Sequence, residues 1–262
     1  GAELGAAEQV CAGGGVEPDH VLDLLTALTE KSLVIAEGDE TPRYRMLGTI
    51  AEYAAQRLVE AGESDRIRRA HLAYFTELTR IAEPHLRRAE QLEWLAMLER
   101  EHDNIAAAMR GALTAGDADG AMRLAAYSGW YWWLAGHKVE GHRLLVAATT
   151  LSGRVPEEIR AVVYAFVTGF LTSGRGRDQY RAADWIRKAA EIGRRVRIRH
   201  PAVSLAGPLE RLLHGPEAFL SAFEPALEDE DPWVRALARL QRGKMRIVLG
   251  DGGRDADIDL QS

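Results

Sequence analysis

Residues 18–62 read PDHVLDLLTALTEKSLVIAEGDETPRYRMLGTIAEYAAQRLVEAG, and two changes of period inside them set the architecture of the chain's first part. Apolar residues fall at Val21, Leu24, Leu25 and Leu28, the spacing of one helical face, with Pro18 at a first-turn position where its missing N–H is not needed. The pattern then changes. Ser32-Leu33-Val34-Ile35-Ala36 is short and β-branched, Gly38-Asp39-Glu40-Thr41-Pro42 has turn chemistry, and Arg43-Tyr44-Arg45-Met46-Leu47 alternates polar with apolar, which predicts a β-hairpin. Ile50, Tyr53, Ala54, Arg57 and Leu58 return to helical spacing, and Ala61-Gly62 supplies the stop. Helix, hairpin and helix in this order are the core of a winged-helix unit, predicted over residues 1–63 and incomplete at its N-terminus.

Beyond residue 64 the pattern is helical throughout. Residues 64–83 place Ile67, Ala70, His71, Tyr74, Phe75, Leu78 and Ile81 on one face, and Pro84 ends or kinks that helix. A second helix is predicted from about residue 90 to 115, so residues 64–101 connect the winged helix to a repeat region. From residue 102 the chain repeats. Gly136, Gly174, Gly215 and Gly250 each close an apolar helix and lie 38, 41 and 35 residues apart. Between them Val155-Pro156-Glu157-Glu158, His200-Pro201 and Asp231-Pro232 place proline where a new helix can begin. Two helices per period in the high thirties predict tetratricopeptide-like hairpins over residues 102–262, the last cut short within 254–262. The expected fold is therefore mainly α: a partial winged helix with a β-hairpin, then an α-solenoid.

A length of 262 residues, 47% hydrophobic and 27% charged with 9 Pro, excludes collagenous and disordered chains. The weakly charged stretch 124–136 is shorter than the roughly 20 apolar residues a bilayer crossing needs, and no charged-then-apolar start resembles a signal peptide. One cysteine, Cys11, makes no internal disulfide, which fits a reducing, cytoplasmic setting. With a net charge of -6, bulk charge gives the chain no attraction for nucleic acid, although a local basic face can still supply one.

Chemistry-bearing motifs are missing. Gly243-Lys244 is followed by Met245, and Gly174-Arg175-Gly176 and Gly13-Gly14-Gly15 lack dinucleotide spacing and a preceding strand. The eight histidines show no metal spacing, and His137 and His142, five apart, fall on different helical faces. Cys11 lies in an apolar helical turn, where burial without reaction is expected. The expectation is a protein that is not an enzyme, with no cofactor or metal of its own.

Two features are candidate partner-binding sites. Trp130, Trp132 and Trp133, with Tyr127 and Tyr131, hold three of the six tryptophans, and Trp and Tyr dominate interface hot spots. Tyr127, Trp130, Tyr131 and Leu134 also form one helical stripe that suits packing between solenoid layers. The second feature is Arg187, Lys188, Arg194, Arg195, Arg197 and Arg199, able to follow a phosphate backbone or an acidic partner. Against this, Asp184 and Glu191 stand four residues from Lys188, Arg187 and Arg195, so surface ion pairs along the helix are expected to take up part of the charge.

The string Val21-Leu22-Asp23-Leu24-Leu25, then Glu30-Lys31-Ser32-Leu33-Val34 and Arg43-Tyr44-Arg45-Met46-Leu47-Gly48-Thr49-Ile50-Ala51-Glu52-Tyr53-Ala54, resembles the winged helix that follows the NB-ARC ATPase in AfsR/SARP-like bacterial transcriptional regulators. Glu101-His102-Asp103-Asn104-Ile105-Ala106-Ala107-Ala108, the Trp130 to Trp133 segment and Glu140-Gly141-His142-Arg143 are similar to the start of that family's helical repeats. The resemblance implies a STAND-type ATPase upstream that binds ATP or ADP, with this chain holding only the winged helix and repeats. Met46-Leu47-Gly48 stands where many NB-ARC proteins carry a nucleotide-sensing Met-His-Asp, so no nucleotide site carries across. The expected function is a regulatory or sensor fragment: the repeats bind a protein or small ligand, and the winged helix couples to the ATPase domain. The alternatives are a nucleic-acid-binding winged-helix module that uses the basic patch, with DNA as partner, and a free-standing solenoid adaptor. No membrane partner is expected.

Overall fold

The computed structural model describes residues 1–38, 41–172, 179–196, 198–213 and 221–248. It is mainly α with one small sheet. β1 (Ala2–Glu3) leads into α1 (Leu4–Cys11), a short 3-10 turn at Pro18–His20 and α2 (Val21–Glu30); β2 (Ile35–Glu37) and β3 (Arg43–Arg45) follow. The sheet order is β1-β3-β2, both pairings antiparallel, with Ala2 opposite Tyr44 and Ala36 opposite the same residue on the other side. Strand, helix, helix, strand, strand with the first strand added beside the last is the winged-helix order. The hairpin falls where the alternation predicted it, and β1 is an addition. Two residues are too few to show a period of 2, so this strand exists only through its pairing with β3.

Ala6, Ala7 and Val10 give α1 a buried stripe against α2 and the long α4 (Ser64–His85). Cys11 ends that helix exposed, which corrects the expected burial: it lies one residue beyond the Val10 stripe, where α1 turns outward. The loop after it has positive φ at Gly13, Gly14 and Gly15, and the Arg66 guanidinium reaches back to donate to the Ala12 carbonyl at 2.7 Å. α3 (Gly48–Glu60) follows the hairpin and buries none of its residues.

α4 buries Leu72, Phe75, Thr79 and Ala82, while Ile81 is exposed. Pro84 sits inside its last turn, and the helix runs two residues past the end expected at residue 83. The single helix expected from residue 90 to 115 is instead α5 (Gln91–Arg100) and α6 (His102–Thr114), separated at Glu101. The buried Glu101 carboxylate is held by Arg43 of β3 and by Asn104 Nδ2 at 2.7 Å, so the helical path turns where a side chain is committed to the sheet.

α7 (Ala118–Leu134), α8 (Lys138–Thr150), α9 (Glu157–Thr172) and α10 (Gln179–Val196) pack in succession, α7 against α4, α6, α8 and α9. Asp117 caps α7 by accepting from the Gly120 N–H at 3.0 Å, and Gly136 ends it with a φ of 89°. All three proline entry signals open helices: α9 after Pro156, α11 (Pro201–Ser204) and α13 (Pro232–Val248). The unit after Pro201 is less regular than the repeat predicts. It breaks between Ser204 and α12 (Ala206–Leu212), because Pro208 has no N–H for the Ser204 carbonyl, and a 3-10 turn follows at Glu224–Glu228. Gly174, Gly215, Gly250 and the truncated end at 254–262 lie outside the described residues.

A continuous core runs from Leu72 to Ala206, and Ala222, Phe223, Ala226, Val234 and Ala238 form a second, smaller one. Within the first, α7 and α9 meet at Gly129, where a Cβ would lie 2.3 Å from the Phe166 ring. Gly129→Ala is expected to cost roughly 1–3 kcal/mol, read from the urea midpoint, because the Cβ would meet the buried Phe166 ring as far in as its Cγ, so the whole side chain has to shift. A variant as stable as the parent would contradict this close approach.

Candidate functional site

The aromatic cluster is core. Trp132 has no exposed surface and Trp130 is 5% exposed, packed edge-on to Phe166 at 5.1 Å and Trp233 at 5.8 Å. As partner-binding candidates these two are corrected: α7 is contacted by α4, α5, α6, α8 and α9, so adjacent positions on it are covered from different sides. Trp133 is half-buried, edge-on to Phe170 at 5.3 Å and capped by Lys138 Nζ at 4.8 Å. With Trp130, Leu205, Leu209 and Phe223 it lines a small apolar cavity of about 70 Å³.

Ion pairs run through the basic patch, and most differ from those expected along the helix. Arg194 reaches Glu210 of α12 at 2.5 Å, Arg195 reaches Glu157 of α9, Arg187 turns back to Asp184 at 3.3 Å, and Arg199 lies 3.6 Å from Glu230. Lys188 rests its ammonium 4.9 Å over the Trp185 ring. Arg197 lies outside the described residues. Two of these contacts tie α10 to neighbouring helices, which spacing along a single helix does not reveal.

On the N-terminal unit Leu22, Leu24, Met46, Leu47, Tyr53 and Val59 are exposed, on α2, on α3 and at the end of β3. An amphipathic helix draws most of its stability from packing its apolar face, and exposed apolar patches mark interaction surfaces.

Two polar clusters escaped the sequence reading. At the joint of α6, α7 and α8, Tyr131 donates to Glu99 at 3.0 Å; His102 Nδ1 lies 2.9 Å from the Tyr131 oxygen and its Nε2 3.0 Å from Glu140. His137 Nε2 lies 2.9 Å from Glu99, and the His102 and His137 rings stack at 3.9 Å. The hydrogen bond from His137 draws the Glu99 carboxyl below its usual range, and burial with the Glu99 contact pushes the Tyr131 phenol far up. The second cluster joins elements far apart in sequence. The buried Glu83 carboxylate accepts from Arg87 at 3.0 Å and from His200 Nε2 at 3.1 Å; Arg87 continues to Asp231 at 3.2 Å. His200, Asp231, Arg88 and Arg199 also line a cleft of about 630 Å³. A sequence signal existed only for the local parts, Glu83 with Arg87 and His137 with Glu140; the long-range partners follow no spacing rule.

These features describe a mainly α protein in which a small three-stranded unit packs on stacked helices. Over 142 residues the chain is 34% identical to three mycobacterial proteins that carry the provisional name HTH-type transcriptional regulator, one from Mycobacterium bovis and two from strains of Mycobacterium tuberculosis. The match covers 54% of this chain and 16% of each relative, so the chain spans only about a sixth of the length of these relatives. No family model matches, and neither does any solved structure. The similarity is to transcriptional regulators as a class and carries no AfsR/SARP assignment. No helix among the described residues is long and apolar enough to cross a membrane.

Proposed function

We propose that this chain is a regulatory module of a bacterial transcriptional regulator, in which the stacked helices take up a protein or small ligand and the N-terminal unit passes that state to another domain. The observation that carries the coupling is α3, a 13-residue helix with no buried residue, which exposes Tyr53 and Val59 and is preceded directly by exposed Met46 and Leu47. Such a helix needs an apolar neighbour, and in the AfsR/SARP-like reading that neighbour is a STAND-type ATPase domain in the cytoplasm. No reaction is assigned to the chain itself, and the helix pairs serve as tetratricopeptide-like binding surface. The experiment is the intact mass of the native protein, read with the coding frame upstream of Gly1. A mass well above 28.9 kDa with a GxxxxGK[ST] loop upstream supports the proposal, and a native mass near 28.9 kDa removes the domain to be coupled.

The similarity to HTH-type regulators also favours a DNA-binding reading, which makes a separate prediction. A site contacting 6–10 phosphates loses about 10³–10⁵ in affinity between roughly 50 and 200 mM salt. Because Arg187, Arg194, Arg195 and Arg199 already have carboxylate partners, this chain is expected to bind duplex DNA weakly and with a shallow salt slope. A steep slope in fluorescence anisotropy, lost in Arg194→Glu/Arg195→Glu, would establish the DNA reading instead.

A further inference from the structure

We propose that His102, His137 and Glu140 bind a divalent transition-metal ion of the zinc type at the joint of α6, α7 and α8, with Glu99 beside them. One ligand atom from each of the three lies within 4.8 Å of the others. Two ligands on a tetrahedral zinc with bonds of about 2.0–2.1 Å stand roughly 3.4 Å apart, so side-chain rotation suffices to close the site. His102 comes from the first turn of α6, His137 from the cap of α8 and Glu140 from the first turn of α8, and all are half-buried.

The hydrogen bonds fix the orientation of the His102 ring. Tyr131 has one hydrogen and gives it to Glu99, so its oxygen can only accept, and His102 Nδ1 must carry the proton that points at it. The other ring nitrogen, Nε2, faces the Glu140 carboxylate 3.0 Å away. A positive centre closes that gap, either a proton on Nε2 or a metal ion in its place, and metal binding displaces the proton. An imidazole whose far nitrogen donates to a fixed oxygen is oriented as a metal ligand is. His137 stacks on His102 at 3.9 Å, so two imidazolium rings would repel, whereas one dication serves both rings and offsets the Glu99 and Glu140 charges together. Imidazole nitrogens select zinc-type ions over magnesium and calcium.

The test is calorimetric titration of the full untagged chain with ZnCl₂, with MgCl₂ as control and Co²⁺ absorption as a report of nitrogen ligation. Saturation at one equivalent is expected, with affinity falling at least about tenfold in His102→Ala and in His137→Ala, and roughly 10- to 100-fold in Tyr131→Phe, which removes only the orienting oxygen. Glu140→Gln keeps the shape of the site and covers the case in which a histidine variant does not fold. His142→Ala, half-buried on the same helix but outside the cluster, is expected to bind as the parent does. Zinc uptake that is unsaturable, or that survives intact in the folded His102, His137 and Glu140 variants, would overturn the proposal.

Discussion

Trp132→Ala is expected to destabilise the fold by about 3–5 kcal/mol, which lowers Tm by on the order of 10 °C. The side chain has no exposed surface, and Gly141 of α8 comes so close that a Cβ there would lie 2.7 Å from Trp132 Cβ. Truncation therefore opens a cavity in the α7–α8 contact, and α7 also supports α4, α6 and α9. Trp133→Ala makes the internal comparison. It removes a half-buried ring and its Lys138 contact, so a clearly smaller loss is expected from a neighbouring residue of the same type. Urea unfolding followed by far-UV circular dichroism separates the two. A Trp132 variant within about 1 kcal/mol of the parent would mean that α7 is not the central helix of this core.

This contrast also marks how far the sequence could be read. Periodicity and punctuation located the hairpin, Phe75 on the buried face of α4, and the helix starts at Pro156, Pro201 and Pro232, because these are set by residues within one or two turns, whereas Leu72, Thr79 and Ala82 lay off the predicted stripe. Burial of Trp132 follows from how many helices surround α7, which no stripe on one helix encodes. β1 depends on a partner 42 positions away, with Ala2 opposite Tyr44. The split between α5 and α6 depends on Arg43 holding Glu101, and the break before α12 follows from Pro208, which is not among the proline entry signals. For the site the pattern is similar. The arginines of α10 were visible as a charge run, yet their partners Glu157 and Glu210 stand on other helices. His102 meets His137 and Glu140 only because the α5–α6 turn and the start of α8 are brought to the same end of α7.

Glu83→Ala is expected to cost roughly 3 kcal/mol near pH 7, since it removes one of the two carboxylates that pair with buried Arg87 and the acceptor of His200 Nε2. The loss carries a pH signature. Burial pushes the Glu83 carboxyl up, but the hydrogen bond and charge of His200 and those of Arg87 outweigh it and hold the group below its ordinary range. His200 Nδ1 accepts the Ala202 N–H at 3.2 Å, so its Nε2 carries a proton and donates to Glu83 even in the neutral ring. A carboxyl whose folded value is depressed contributes stability fully above its unfolded value, near 4.5, and loses that contribution as pH falls through the folded value. The parent is therefore expected to weaken progressively below about pH 5, with Arg88 and Asp231, the other charged groups at this junction, unchanged between parent and variant. Glu83→Gln, which keeps the shape and loses the charge, starts lower at pH 7 and follows a flatter acid limb, so the two stability curves converge as pH falls. Parallel curves from pH 7 to 3 would show that Glu83 contributes packing and not charge. Convergence would show that the clamp joining α4 to residues 200 and 231 is electrostatic, and that the chain closes on itself there through an ion network and not through core packing alone.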